Sequence, residues 1–219
     1  MTRRSLPLLT ALCLLLAAPV WAGVLYDNGP INGDISAWIF ITPYVVSDGF
    51  TLSSNSTING FNFGVWEFPG DTLSSVGWSV TSAENGGTVY ASGTVSGNNL
   101  SQMLLYTNSL GYEIYDVTAT GLNPGLNGGS YWLNLQNAKV PSGDPIYWDE
   151  NSGVGCGGDD GKGGGCPSQA SEFDIGTIAS ESFTINGTSN SGTTPEPASF
   201  LLFASGVLGL AGILRRKLL

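Results

Sequence analysis

The chain has 219 residues, seventeen Asp and Glu against seven Lys and Arg, a formal charge of −10 and no histidine. Acidity on this scale excludes nucleic acid and anionic lipid as partners of the main body, because both are bound through clustered Lys and Arg. The missing histidine removes Ser-His-Asp and Cys-His nucleophile systems and every His-bearing zinc site, and no Walker or dinucleotide glycine motif stands in the strand-to-helix setting it needs.

Residues 1–22 read as an export signal. Arg3 and Arg4 give a positive start, Leu6 to Ala18 an apolar helix, and Val20-Trp21-Ala22 a small-residue cleavage site, so the mature chain begins at Gly23 and Cys13 leaves with the signal. Downstream the only bases before the C-terminal tail are Lys139 and Lys162, while sixteen of the seventeen acids lie in that stretch. Residues 23–186 are enough for one domain with a substantial core.

High Gly, Ser, Thr and Asn content, scattered aromatics and no long helical period make this domain all-β. Ala37 to Ile41 and Tyr44 to Leu52 read as strands parted by Pro43. Ile58 to Trp66 alternates, with Phe61, Phe63 and Val65 on one face. After a turn at Phe68-Pro69-Gly70-Asp71, Val76 to Val80 resumes the alternation, and Asn85-Gly86-Gly87 turns into Thr88 to Val95. Leu100 to Tyr106, Gly111 to Ala119, Tyr131 to Ala138, Pro145 to Asp149, Phe173 to Ile178 and Ser182 to Ile185 follow. So many short strands at this spacing predict a two-sheet antiparallel β-sandwich, jelly-roll-like, with an N-terminal signal helix before it and a C-terminal transmembrane helix after it. Residues 187–194 read as a polar linker.

The tail has three ordered parts: Pro195-Glu196-Pro197, an unbroken apolar run from Ala198 to Leu214, and the basic triplet Arg215-Arg216-Lys217. Seventeen helical residues cover about 26 Å, just enough for a bilayer core of about 30 Å with a little thinning. The triplet stays cytoplasmic by the positive-inside rule, which puts the acidic domain outside. Pro195, Glu196, Pro197, the internal glycines of the run and Arg215, Arg216 and Lys217 together resemble the PEP-CTERM sorting signal of Gram-negative exported proteins. The resemblance implies recognition of residues 195–219 by exosortase, a membrane-embedded cysteine protease or transpeptidase. It also implies transient membrane anchoring, delivery to the cell surface or beyond, and an association with exopolysaccharide and biofilm production. A single-pass anchor that is never cut is the alternative.

The body also resembles a β-sandwich passenger often found ahead of this tail, through Tyr26-Asp27-Asn28-Gly29-Pro30, Phe63-Gly64-Val65-Trp66, Tyr131-Trp132-Leu133-Asn134-Leu135 and Tyr147-Trp148-Asp149-Glu150-Asn151. Such passengers mostly have no assigned activity. The expectation is a non-enzymatic surface or extracellular-matrix protein; the alternative is a carbohydrate-binding, or less readily carbohydrate-cleaving, module. Trp66, Trp132 and Trp148 are the candidate glycan contacts, since aromatic faces stack on sugar rings, although aromatics in a sandwich more often pack the core. Trp66 and Trp132 fall out of phase with the apolar face of their strands.

The glycine-rich loop from Gly153 to Pro167 holds Cys156 and Cys166, the only cysteines of the mature chain. Outside the cell they are expected to form a disulfide. No cofactor is otherwise implied. The alternative for this region is a Ca²⁺ site using the hard oxygens of Asp149, Asn151, Asp159 and Asp160, a run that departs from the EF-hand pattern.

Overall fold

The computed structural model describes residues 23–34, 36–151, 170–173 and 175–190. The two expected helices, Cys156, Cys166, Asp159, Asp160 and the sorting residues from Pro195 to Lys217 lie outside the described residues. Among those described, no helix is long and apolar enough to cross a membrane. Among the described residues one 3-10 turn, Gly97–Asn99, accompanies fourteen strands.

In chain order the strands are β1 Gly23–Asp27, β2 Ala37–Ile39, β3 Val45–Leu52, β4 Ser56–Glu67, β5 Ser75–Ala83, β6 Gly86–Ser96, β7 Leu100–Thr107, β8 Glu113–Thr120, β9 Gly125–Leu126, β10 Gly129–Lys139, β11 Tyr147–Asp149, β12 Ala170–Glu172, β13 Gly176–Ile178 and β14 Phe183–Ser189. They form two antiparallel sheets. The eight-stranded sheet is organised on β4, which carries β14 and β11 along one edge and β8 and β9 along the other. The six-stranded sheet runs β13-β12-β3-β10-β5-β6. These strand counts exceed those of an eight-stranded jelly roll.

The alternation of β4 explains why the sheets stack. Phe61, Phe63 and Val65 all point inward and are buried, and the facing rows are Val76, Trp78 and Val80 of β5, Leu133 and Leu135 of β10, and Val46, Phe50 and Leu52 of β3. Aromatic edges bridge the layers, with Phe61 on Trp78 at 6.4 Å and Tyr26 on Phe50 at 6.1 Å between ring centroids. Gly60 is required by close approach: a Cβ there would stand 2.2 Å from the Ala119 carbonyl oxygen.

Three expectations are corrected. The single strand over 173–178 is a hairpin between β12 and β13, turning where the Ile175 N–H donates to the Glu172 carbonyl at 3.2 Å. Phe173 and Ile175, which mimic an apolar strand face, are exposed at its tip, and Gly176 supplies the positive φ of 90° that the turn needs. The last strand continues past residue 186, since Gly187, Thr188 and Ser189 pair with Ile58, Thr57 and Ser56; the compact unit ends at Ser189. β1 and β9 were not anticipated from the sequence.

Phe63 lies at the centre of the core, edge-on to Phe40 and Trp148. Phe63→Ala should lower unfolding free energy by about 3–5 kcal/mol, the range for deleting a fully buried aromatic ring. Urea denaturation of the exported protein measures it, and a loss below about 1 kcal/mol would mean that Phe63 does not hold the sheets together.

Candidate functional site

Strand β11 sets the geometry. Its residues alternate, so Trp148 turns into the core, between Phe63 at 6.3 Å and Phe183 at 5.7 Å, and its indole N–H donates to the Ser182 carbonyl at 2.9 Å. Asp149 points to the other face of the sheet. There its Oδ1 accepts from the Trp66 indole N–H at 2.6 Å and the Gly33 N–H at 2.8 Å, and its Oδ2 from the Asn32 N–H at 3.0 Å and the Ser182 hydroxyl at 3.1 Å. The carboxylate thereby straps residues 29–34 across the outside of the eight-stranded sheet. Tyr106 and Asn108 secure the same segment by donating to the carbonyls of Asn32 and Gly33. Burial pushes the Asp149 carboxyl up from its ordinary value, against these four hydrogen bonds, which pull it down.

This arrangement decides where the three tryptophans stand. Trp148 is fully buried and Trp66, though out of phase with the core as its position implies, is only 4% exposed beneath the strap. Trp148 presents no ring face to a sugar, and Trp66 reaches the surface only as part of a pocket wall. Trp132 is half-buried beside a hollow of about 160 Å³ lined also by Tyr26, Thr51, Ser130 and Tyr131. Of the calcium quartet, Asp149 is committed to the strap and Asn151 is buried, its N–H donating to the Ser180 carbonyl.

A second group of acids was not picked out from the sequence. Asp48 lies on the inward row of β3 with Val46 and Phe50; Glu172 pairs with Val46 and therefore shares that row. From the opposite sheet, Glu150 is in phase with Trp148, and Glu181 is in phase with Phe183 and Ile185; the two are bridged to each other through their backbones. All four are at most 2% exposed. Asp48 is well supplied with donors: Asn28 Nδ2 at 2.8 Å, the Ser180 hydroxyl at 2.9 Å and the Glu181 N–H at 2.7 Å meet its Oδ2, and the Gly49 N–H at 2.7 Å meets its Oδ1. Glu150 Oε2 accepts from Trp38 Nε1 at 3.3 Å. Both oxygens of Glu181 lack a hydrogen-bond partner. Its carboxyl is pushed well above the ordinary value by burial first, then by the charges of Asp48, Glu150 and Asp149. The signal that identifies this group is an acid at an apolar-phase position, as in Val46-x-Asp48-x-Phe50, Trp148-x-Glu150 and Glu181-x-Phe183.

A second aromatic pocket on the described surface, of about 250 Å³, is lined by Ser36, Ala37, Trp66, Leu110, Tyr112 and Tyr147. Tyr112 stacks tilted against Phe68 at 5.0 Å and meets Tyr147 edge-on at 5.8 Å. A wider groove of about 500 Å³ runs along β14 beside Asp27, Asn62, Asp116 and Asn186. In it Asn62 donates to Asp116 and Thr118 and accepts from Asn186, a polar network suited to hydroxyl-rich or cationic ligands.

Beyond the sandwich, residues 193–217 match the model of the PEP-CTERM protein-sorting motif. No curated protein matches the chain.

Glu67 closes the inward row of β4 at the end remote from Ser56, fully buried, with Gln102 Nε2 donating to its Oε2 at 3.3 Å. Burial, with Asp71 and Glu113 adding repulsion, lifts its pKa from the ordinary 4.5 to about 7, despite hydrogen bonds from Gln102 and the Leu73 backbone. Between these two values the folded chain keeps a proton that the unfolded chain has released, so this group's contribution makes stability fall as pH rises through the window. Glu67→Gln should flatten that part of the pH profile. Urea midpoints at pH 4.5 and pH 7.5 for both proteins test this; parallel profiles would contradict it.

Proposed function

The chain carries a PEP-CTERM protein-sorting motif, and from that premise we propose that it is a non-enzymatic surface or extracellular-matrix protein whose acidic sandwich works among exopolysaccharide after exosortase has processed the tail. The motif marks an exported protein addressed to exosortase; it is the one observation that carries the reading. The order of residues in the tail supports processing: prolines on both sides of Glu196 disfavour helix ahead of the apolar run, and the basic triplet at the far end is the signature of a cytoplasmic terminus.

The sandwich supports a binding or structural role over a hydrolytic one. Glycoside hydrolysis needs two carboxyls facing each other across a cleft that a sugar can enter, whereas the inward acids Asp48, Glu150, Glu172 and Glu181 are sealed between the sheets. The adjacent acids Asp149 and Glu150 serve opposite faces of β11 and do not act as a pair.

A carbohydrate-binding role is the second reading, and the pocket of Tyr112 and Tyr147 favours it, because Phe68 beside it is 36% exposed and extends the aromatic surface. On this reading the stacking platform is Tyr112, Tyr147 and Phe68, with Trp66 as its floor, in place of the indoles of Trp132 and Trp148.

Mass spectrometry of protein recovered from an exosortase-competent host should find Gly23 at the N-terminus and no peptide containing Arg215 to Leu219. Glu196→Ala should retain the full tail in the membrane fraction. An intact tail on the unaltered protein would leave a permanent anchor as the only reading. On a glycan array, Tyr112→Ala should weaken any binding about tenfold, the effect of losing a central aromatic contact of roughly 1–2 kcal/mol; unchanged binding would remove this pocket from consideration.

A further inference from the structure

We propose that the acid group between the two sheets is a divalent-cation site of calcium type, with Glu181 and Glu150 as its ligands and Asp48 and Glu172 supplying negative charge from the opposite sheet.

The argument begins with Glu181. It is completely buried, and neither of its carboxylate oxygens meets a hydrogen-bond donor. Leaving buried acceptors without partners is destabilising, and more so for a charged group. Donors are nonetheless available close by: Asn28 Nδ2, the Ser180 hydroxyl and the backbone N–H of Glu181 itself all converge on Asp48. So the fold satisfies Asp48 as an anion and sets a second, unsatisfied carboxyl against it. Glu150 is bridged to Glu181 through the backbone and belongs to the same inward phase, and Glu172 enters from β12 on the row of Asp48.

The chemistry of the donors selects the ion. They are hard oxygens with no imidazole, which suits Ca²⁺ or Mg²⁺ and not a transition metal. Mg²⁺ holds its waters and demands near-octahedral geometry, while Ca²⁺ accepts an irregular set of carboxylates, carbonyls and a few waters. No three of the described acids form a ready-made cage. Two glutamates, with long side chains that rotate without moving the backbone, close on the ion, and neutral oxygens complete its shell. Because Asp48 and Glu172 stand on the other sheet, the bound ion clips the two sheets together at this end of the sandwich. Affinities of about 10⁻⁴–10⁻³ M, typical of extracellular modules, would make the clip respond to calcium outside the cell.

The test uses the exported protein after EDTA treatment and dialysis, titrated with CaCl₂ by calorimetry and followed by thermal melting. One saturable site is expected, with a rise in Tm of about 5–10 °C at a Ca²⁺ concentration of about 100 Kd, and a smaller rise with MgCl₂. Glu181→Gln should abolish the rise and should melt in EDTA at or above the temperature of the unaltered protein, because a neutral amide replaces the uncompensated carboxyl. Should that variant fail to fold, Glu150→Gln serves in its place and should weaken calcium binding at least about tenfold. Glu84→Gln, on an exposed turn, should respond as the unaltered protein does. An absence of saturable binding together with an unchanged Tm would overturn the proposal. So would a response that survives Glu181→Gln, or one abolished by Asp159→Asn with Asp160→Asn while Glu181→Gln leaves it intact, which would place the ion in the glycine-rich loop.

Discussion

The twofold alternation of β11 is the constraint on which the rest of the sandwich depends. Trp148 faces in, Asp149 out and the following Glu150 in again, and each assignment fixes a different part of the molecule. The indole joins the aromatic core of both sheets. The Asp149 carboxylate straps residues 29–34 over Trp66 and so closes the outer face of the larger sheet. Glu150 is buried beside Glu181, to which it is bridged through the backbone. Shifting the register of β11 by one residue would put a carboxylate in the core and an indole in water.

The cost of this arrangement is concentrated at one end of the sandwich. Most buried polar groups here have clear partners: Asn134, for example, donates to Ser79 and Thr81 and accepts from Ser47, which ties β10 to β3 and β5 on the outer face of the smaller sheet. Glu181 departs furthest from this, a fully buried carboxyl with acids as neighbours and no donor to either oxygen. Such a group is a net destabilisation unless it holds a proton or meets a cation. On the calcium proposal, an exported chain would meet the ion outside the cell, which would give the acid end a role after export.

Much of the fold was legible because the alternation in β3, β4, β5, β8 and β10 is strong and punctuated by turn residues. Boundaries moved outward where a strand continues through polar residues, as β4 does from Ser56 to Glu67. β1 was missed because five residues beside the expected signal cleavage point carry little pattern, and its pairing with β14, the last strand of the domain, is entirely long-range. Trp66 was correctly placed out of phase with the core. That it would be covered could not be read, since its cover comes from a loop held by a residue more than eighty positions away. The aromatic surface at Tyr112 and Tyr147 likewise joins residues from separate strands. The acids were the most instructive miss. Asp48, Glu150 and Glu181 each sit in apolar phase, but near strand ends a polar residue in that phase is as often exposed, and only the facing sheet shows that these are not.

Long-wavelength anomalous diffraction from crystals of the exported protein grown with CaCl₂ tests the central claim, that the two sheets are clipped by a cation at the acid end. The account predicts a single strong peak within coordination distance of Glu181 and Glu150, facing Asp48 and Glu172 across the gap between the sheets. A map with no peak between those side chains would contradict it.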